Sequence, residues 1–118
     1  MYIVIICTKY SININMPTLD EVVKIAGSFA HVTQVPHFDK IAFKVKSKIF
    51  VTIDAKADRI CVKLSPIDQN VFCSFNPEVI HPVPNKWGKH GWTLAYLQEL
   101  PYDLLTDFLS CAYEEASR

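Results

Sequence analysis

The chain has 118 residues, half of them hydrophobic, and its twelve Lys and Arg are balanced by twelve Asp and Glu. That is material for one hydrophobic core rather than two, and zero formal charge argues against a protein given over wholly to nucleic acid, although the charges are unevenly placed. The four cysteines form no C-x-x-C, and Cys61, Cys73 and Cys111 sit in apolar runs, which fits free thiols in a reducing cytoplasm.

The opening "MYIVIIC" is too short to span a bilayer and lacks the basic n-region and cleavage site of a secretory signal, so no membrane association is expected. Residues 1–15 read as an N-terminal extension ahead of a single domain over residues 16–118. Thr18 and Glu21 make a capping box, and Leu19, Val22, Val23, Ala26 and Phe29 share one face, predicting a helix from Leu19 to Ala30. Four short runs rich in β-branched and aromatic residues follow: Val32 to Val35, Ile41 to Val45, Ile49 to Ile53 and Arg59 to Leu64. They predict an antiparallel meander with a tight turn at Ser47. Ser65, Pro66 and Asp68 supply a cap, an N1 proline and an N3 carboxylate, starting a short helix over Ile67 to Phe75 that Pro77 ends.

Val79 to Val83 predicts a strand that its prolines confine to a sheet edge, and Trp92 to Gln98 predicts a firmer one. After Pro101, Leu104, Leu105, Phe108, Leu109, Ala112 and Tyr113 recur at helical spacing with acids on the other face. The expected fold class is α+β, a mostly antiparallel sheet with helices packed on one face.

Chemistry-bearing patterns are sparse. His31, His37, His81 and His90 have no metal-ligand spacing, no strained G-x-S-x-G turn presents a nucleophile, and "GKHG" is not a phosphate-binding loop. The reading is therefore a non-enzymatic protein without metal or cofactor. Charge is more informative. Lys40, Lys44, Lys46, Lys48, Lys56, Arg59 and Lys63 face only Asp54 and Asp58 in their stretch, whereas Glu99, Asp103, Asp107, Glu114 and Glu115 make the C-terminal segment acidic. Lys44, Lys46 and Lys48 alternate, which predicts one shared side, with Phe43, Val45, Ile49 and Val51 on the buried one.

The segment "HPVPNKWGKHGWT", residues 81–93, holds two of the three glycines and both tryptophans. Lys86, Lys89 and His90 offer phosphate donors there, and Trp87 offers a ring that can stack on a base. Gly88 and Gly91 permit positive φ or close backbone approach, and Pro82 and Pro84 stiffen the loop. Trp92, with Leu94 and Tyr96 at spacing two, reads as a core or half-core ring.

Taken together, "FKVKSKIFVTI", "RICVKLS", "GKHGWT" and "SCAYEEA" resemble the MmcQ/YjbR family over about residues 18–116. The resemblance implies a frataxin/CyaY-like α+β fold and DNA binding through a double wing of hairpins. It places Lys48 to Phe50 on the family's Lys-x-Phe turn and strand, Lys63 on a strand lysine, Lys89 and Trp92 on a Lys/Trp element, and Tyr113 on a helical tyrosine. Gly91 is inserted between His90 and Trp92, and Ala112 stands where serine is common. The iron handling of frataxins is not expected, because the first helix offers only Asp20 and Glu21. The function expected is thus weak, salt-dependent DNA binding through Lys44, Lys46, Lys48, Lys63, Lys86, Trp87, Lys89 and His90. The rivals are a protein-interaction module using the Trp87 loop and a small-ligand site built from Trp87, His90 and Tyr113.

Overall fold

A computed structural model describes residues 16–118, so the extension expected at residues 1–15, and Cys7 within it, lie outside the described residues. Helix α1 (Leu19–Ser28) starts where the capping box predicts: Thr18 Oγ1 accepts from the Glu21 amide and the Glu21 carboxylate accepts from the Thr18 amide. Strands β1 (Thr33–His37), β2 (Lys40–Val45), β3 (Lys48–Asp54) and β4 (Arg59–Lys63) follow as the expected meander. Ser65 caps α2 (Pro66–Cys73), accepting from the Asp68 amide at 3.1 Å. Then come β5 (Ile80–Pro82), the single turn α3 (Lys86–Lys89), β6 (Trp92–Tyr96), a 3-10 turn (Leu97–Glu99) and α4 (Tyr102–Ser117).

The strands form one antiparallel sheet in the order β1-β2-β3-β4-β6-β5. Pro36 and Pro82 therefore lie on the two edge strands, where a missing amide costs no ladder bond. The helices cover one face. Phe43, Val51, Ile53, Ile60, Val62 and Ala95 meet Val22 and Ala26 of α1 and Leu105, Phe108, Leu109 and Ala112 of α4 in a single core cluster. Each large apolar side chain buried this way contributes roughly 1.5–3 kcal/mol. Among the described residues, no helix is long and apolar enough to cross a membrane.

A β-bulge in β3 changes one sequence expectation. Phe43 pairs with Val51 but Lys44 pairs with Ile49, leaving Phe50 without a partner across the ladder. Phe50 turns into the helix layer, where Phe29 and Tyr113 present edges at centroid distances of 6.1 and 5.7 Å. Ile49, expected on the buried side with Val51, is thereby shifted to the uncovered face, where it is half-buried.

The β2–β3 turn has Lys46 at φ 51° and Ser47 at φ 66°. Positive φ at both central residues defines a type I′ turn, which suits hairpin twist but favours Asn and Gly. Ser47→Gly should therefore raise stability by about 1 kcal/mol. A urea titration in which this variant unfolds at or below the parent midpoint would contradict the turn assignment.

Candidate nucleic-acid interface

Strand alternation and register fix what lies on the other face of the sheet, uncovered among the described residues. Lys44 pairs with Ile49, Cys61 with Leu94, Lys63 with Trp92, and Arg59 with Tyr96, and all of these are half-buried while their neighbours in sequence face the core. Strand β6 inverts the usual placement: Thr93 and Ala95 are fully buried against the helices, and the large residues Trp92, Leu94 and Tyr96 face outward. Trp92 is thus half-core, as expected, but on the side away from the helices.

These outward residues floor a trough of about 690 Å³, with Trp87 and Phe38 also along it. Two features keep its floor uncharged. Arg59 Nε stands 3.7 Å from Asp54 Oδ2, and its Nη1 donates to Tyr96 Oη at 3.4 Å. Burial pushes the Cys61 thiol up to about 11, outweighing the opposing pull of Arg59, so it stays protonated at neutral pH.

At one end, the trough adjoins a second recess lined by Lys44, Lys48 and Lys63, with Ile49 and Trp92 bordering both. Lys44 and Lys63 reach it from the uncovered face. Lys48 pairs with Val45, whose side chain is buried against the helices, so it belongs to the other side of the hairpin. The expectation that Lys44, Lys46 and Lys48 share one side therefore fails, because the period of two does not continue through a turn. Lys46 stands in that turn, exposed.

The other lysine group lies at the same end of the sheet. The chain leaves β5 and enters β6 there, and the segment between them carries exposed Lys86, Trp87, Lys89 and His90. In the sheet order, β4 separates β3 from β6, which puts the two strands roughly 10 Å apart. The Lys86 ammonium sits 5.6 Å from the Trp87 ring centroid, and His90 meets that ring at 6.2 Å.

This segment is held by side-chain hydrogen bonds that the sequence alone did not disclose. Asn85 caps α3, its Oδ1 accepting from the Trp87 amide at 2.8 Å. Gln69 of α2 donates through Nε2 to the Gly88 carbonyl and to Thr93 Oγ1, both at 3.0 Å. Both glycines meet the expectation attached to them: Gly91 has φ +103°, and a Cβ on Gly88 would lie 2.1 Å from the Val83 carbonyl oxygen. An asparagine ahead of a short basic run is a usable cap signal; nothing in the spacing of Gln69 marks its role.

One acid enters the lysine recess. Glu115 lines it, with Oε1 shut away from solvent, making no hydrogen bond and lying 3.5 Å from Arg118 Nη1. Three lysines against one carboxylate, itself paired to an arginine, leave the recess cationic. Asp103 and Glu114 lie exposed on α4. Tyr113 is removed from the small-ligand reading, because its hydroxyl donates to the Ala30 carbonyl at 2.7 Å and its ring stacks on Phe29 at 4.6 Å. It fastens α4 to the end of α1. Among the described residues, no group of three or more His, Cys, Asp or Glu is placed to hold a metal.

A family model described as YjbR matches residues 27–115. A crystal structure of the Deinococcus radiodurans protein DR2400, with the family-model domain DUF419, has a similar fold: TM-score 0.76 at 25% identity, covering 87% of this chain and 80% of that one. No curated protein matches the sequence.

Proposed function

The chain belongs to the YjbR family, and we propose that it is a non-enzymatic DNA-binding module that seats phosphates at the lysine-bearing end of its sheet. The observation carrying this reading is the common placement of two lysine groups distant in sequence. Lys44, Lys48 and Lys63 border one recess, and Lys86 and Lys89 stand on the segment entering β6 at the same end. The β2–β3 turn and the residue 83–91 segment then act as two projections on either side of the ends of β4 and β6.

Affinity in this arrangement is modest. A handful of lysines neutralises a handful of phosphates, and a chain with zero formal charge adds little long-range attraction. Phosphate contacts position a protein without reading sequence, and among the described residues no helix presents an Arg/Asn/Gln face to base edges.

Mobility-shift titrations at roughly 50 and 200 mM salt provide the test. Lys46→Ala and Lys89→Ala should each weaken binding alike on all sequences and lower the slope of log K against log salt by about 1. Binding indifferent both to salt and to the two substitutions would remove the proposal.

A further inference from the structure

We infer that the uncovered face of the sheet is a stacking surface for unpaired bases, so that the nucleic acid held at the lysine recess is single-stranded; this rests on the reading of that recess as a phosphate site. The first support is the inversion in β6. Trp92, Leu94 and Tyr96 are placed on the face that no helix of the described residues covers, while Thr93 and Ala95 take the core positions. A fold seeking only stability would bury the large residues under the helices.

The second support is at the rims. Trp87 is 53% exposed, and Phe38 is 93% exposed at φ 59° in the two-residue turn joining β1 to β2. That turn position normally goes to glycine, and a bulky residue there is both strained and unshielded. Rings held out along a trough offer faces to a flat partner.

The third support is the distribution of charge. Positive side chains gather where Ile49 and Trp92 border both trough and recess. Along the rest of the trough the lining charges are paired, Arg59 with Asp54 at 3.7 Å and Lys40 with Asp39 at 3.2 Å. The fitting ligand is therefore flat and apolar on one side and anionic on the other, which describes nucleotides whose bases lie on the floor and whose phosphates reach Lys44, Lys48 and Lys63. A duplex keeps its base faces stacked on one another and would leave the trough unused. A lone nucleotide would use only part of it, since five-residue strands run roughly 17 Å, room for about two or three bases.

The test titrates the whole chain with a short oligothymidylate, the same strand annealed to its complement, and thymidine monophosphate, reading anisotropy and intrinsic tryptophan fluorescence. The single strand should bind at least about tenfold tighter than either comparator and quench the tryptophans. Trp87→Ala and Phe38→Ala should each weaken it roughly fivefold or more, with smaller losses on the duplex. Duplex binding as tight as the strand, with equal losses in the variants, overturns base stacking but leaves the phosphate site intact. Monophosphate binding as tight as the strand makes this a small-ligand site. Concentration-dependent self-association that shields the tryptophans assigns the face to a second copy of the chain. Failure of all three ligands overturns this inference and the DNA-binding proposal together.

Discussion

Gly91→Ala should cost roughly 3 kcal/mol or more and lower the melting temperature by about 12 °C. Two independent effects add here. The residue sits at φ +103°, where an L side chain is strained by about 1–3 kcal/mol. A Cβ would also fall 2.1 Å from the carbonyl oxygen of Leu64, with the carbon and nitrogen of the same residue at 3.2 and 3.4 Å. All three are backbone atoms at the end of a central strand, so no flexible side chain can move aside. Relief would break the 2.9 Å bond from the Leu64 amide to the Gly91 carbonyl and that from Thr93 Oγ1 to the same oxygen. The temperature follows from about 4 °C per kcal/mol for a domain of this size.

Gly88→Ala is the informative comparison. Its Cβ would meet the Val83 carbonyl oxygen at the same 2.1 Å, but no positive φ is involved and Val83 follows an edge strand that can shift. Its loss should be smaller, about 1–2 kcal/mol. Urea unfolding decides the matter: a Gly91→Ala loss under about 1 kcal/mol, or one no larger than that of Gly88→Ala, contradicts the close approach described.

The parts of this fold legible in the sequence are those set by neighbours a few residues away. Thr18 with Glu21, Ser65 with Asp68, and the apolar spacing of α4 each need only one turn of helix to operate, and each stands where expected. Prolines on the edges follow equally from one missing amide. The site was harder to read because its features depend on remote partners. The bulge at Phe50 exists because Phe29 and Tyr113, far apart along the chain, together form an apolar slot for its ring. Without that slot, period two would have kept Ile49 in the core. The outward placement of Trp92, Leu94 and Tyr96 is hidden for a related reason: alternation says that these three share a face but not which face the helices cover. Thr93 tips the choice only through Gln69 and Gly91, which sequence spacing does not connect to it.

Reversing two charges in the lysine recess, Lys44→Glu with Lys63→Glu, should weaken DNA binding at least about 100-fold, or roughly 2.7 kcal/mol. Both residues are half-buried on the uncovered face at the same end of the sheet, so each reversal removes an attraction and adds a repulsion where solvent screens incompletely. The salt slope on a duplex should fall by about 2, one counterion for each phosphate released from contact. Glu115→Gln carries the opposite sign. Its Oε1 is closed off from solvent among these lysines without a hydrogen bond, so the carboxylate competes with phosphate for their charge. Removing that charge should tighten binding about threefold, or roughly 0.6 kcal/mol, while releasing Arg118 from its ion pair with Glu115. Two substitutions that lower net charge and one that raises it thus move affinity in opposite directions at a single recess. General cationic stickiness predicts the same signs but equal effects from any lysine, so Lys24→Glu with Lys56→Glu, both exposed and absent from the recess lining, serves as the control. If that control loses as much affinity as the recess pair, or if Glu115→Gln weakens binding, phosphate is not held at this end of the sheet.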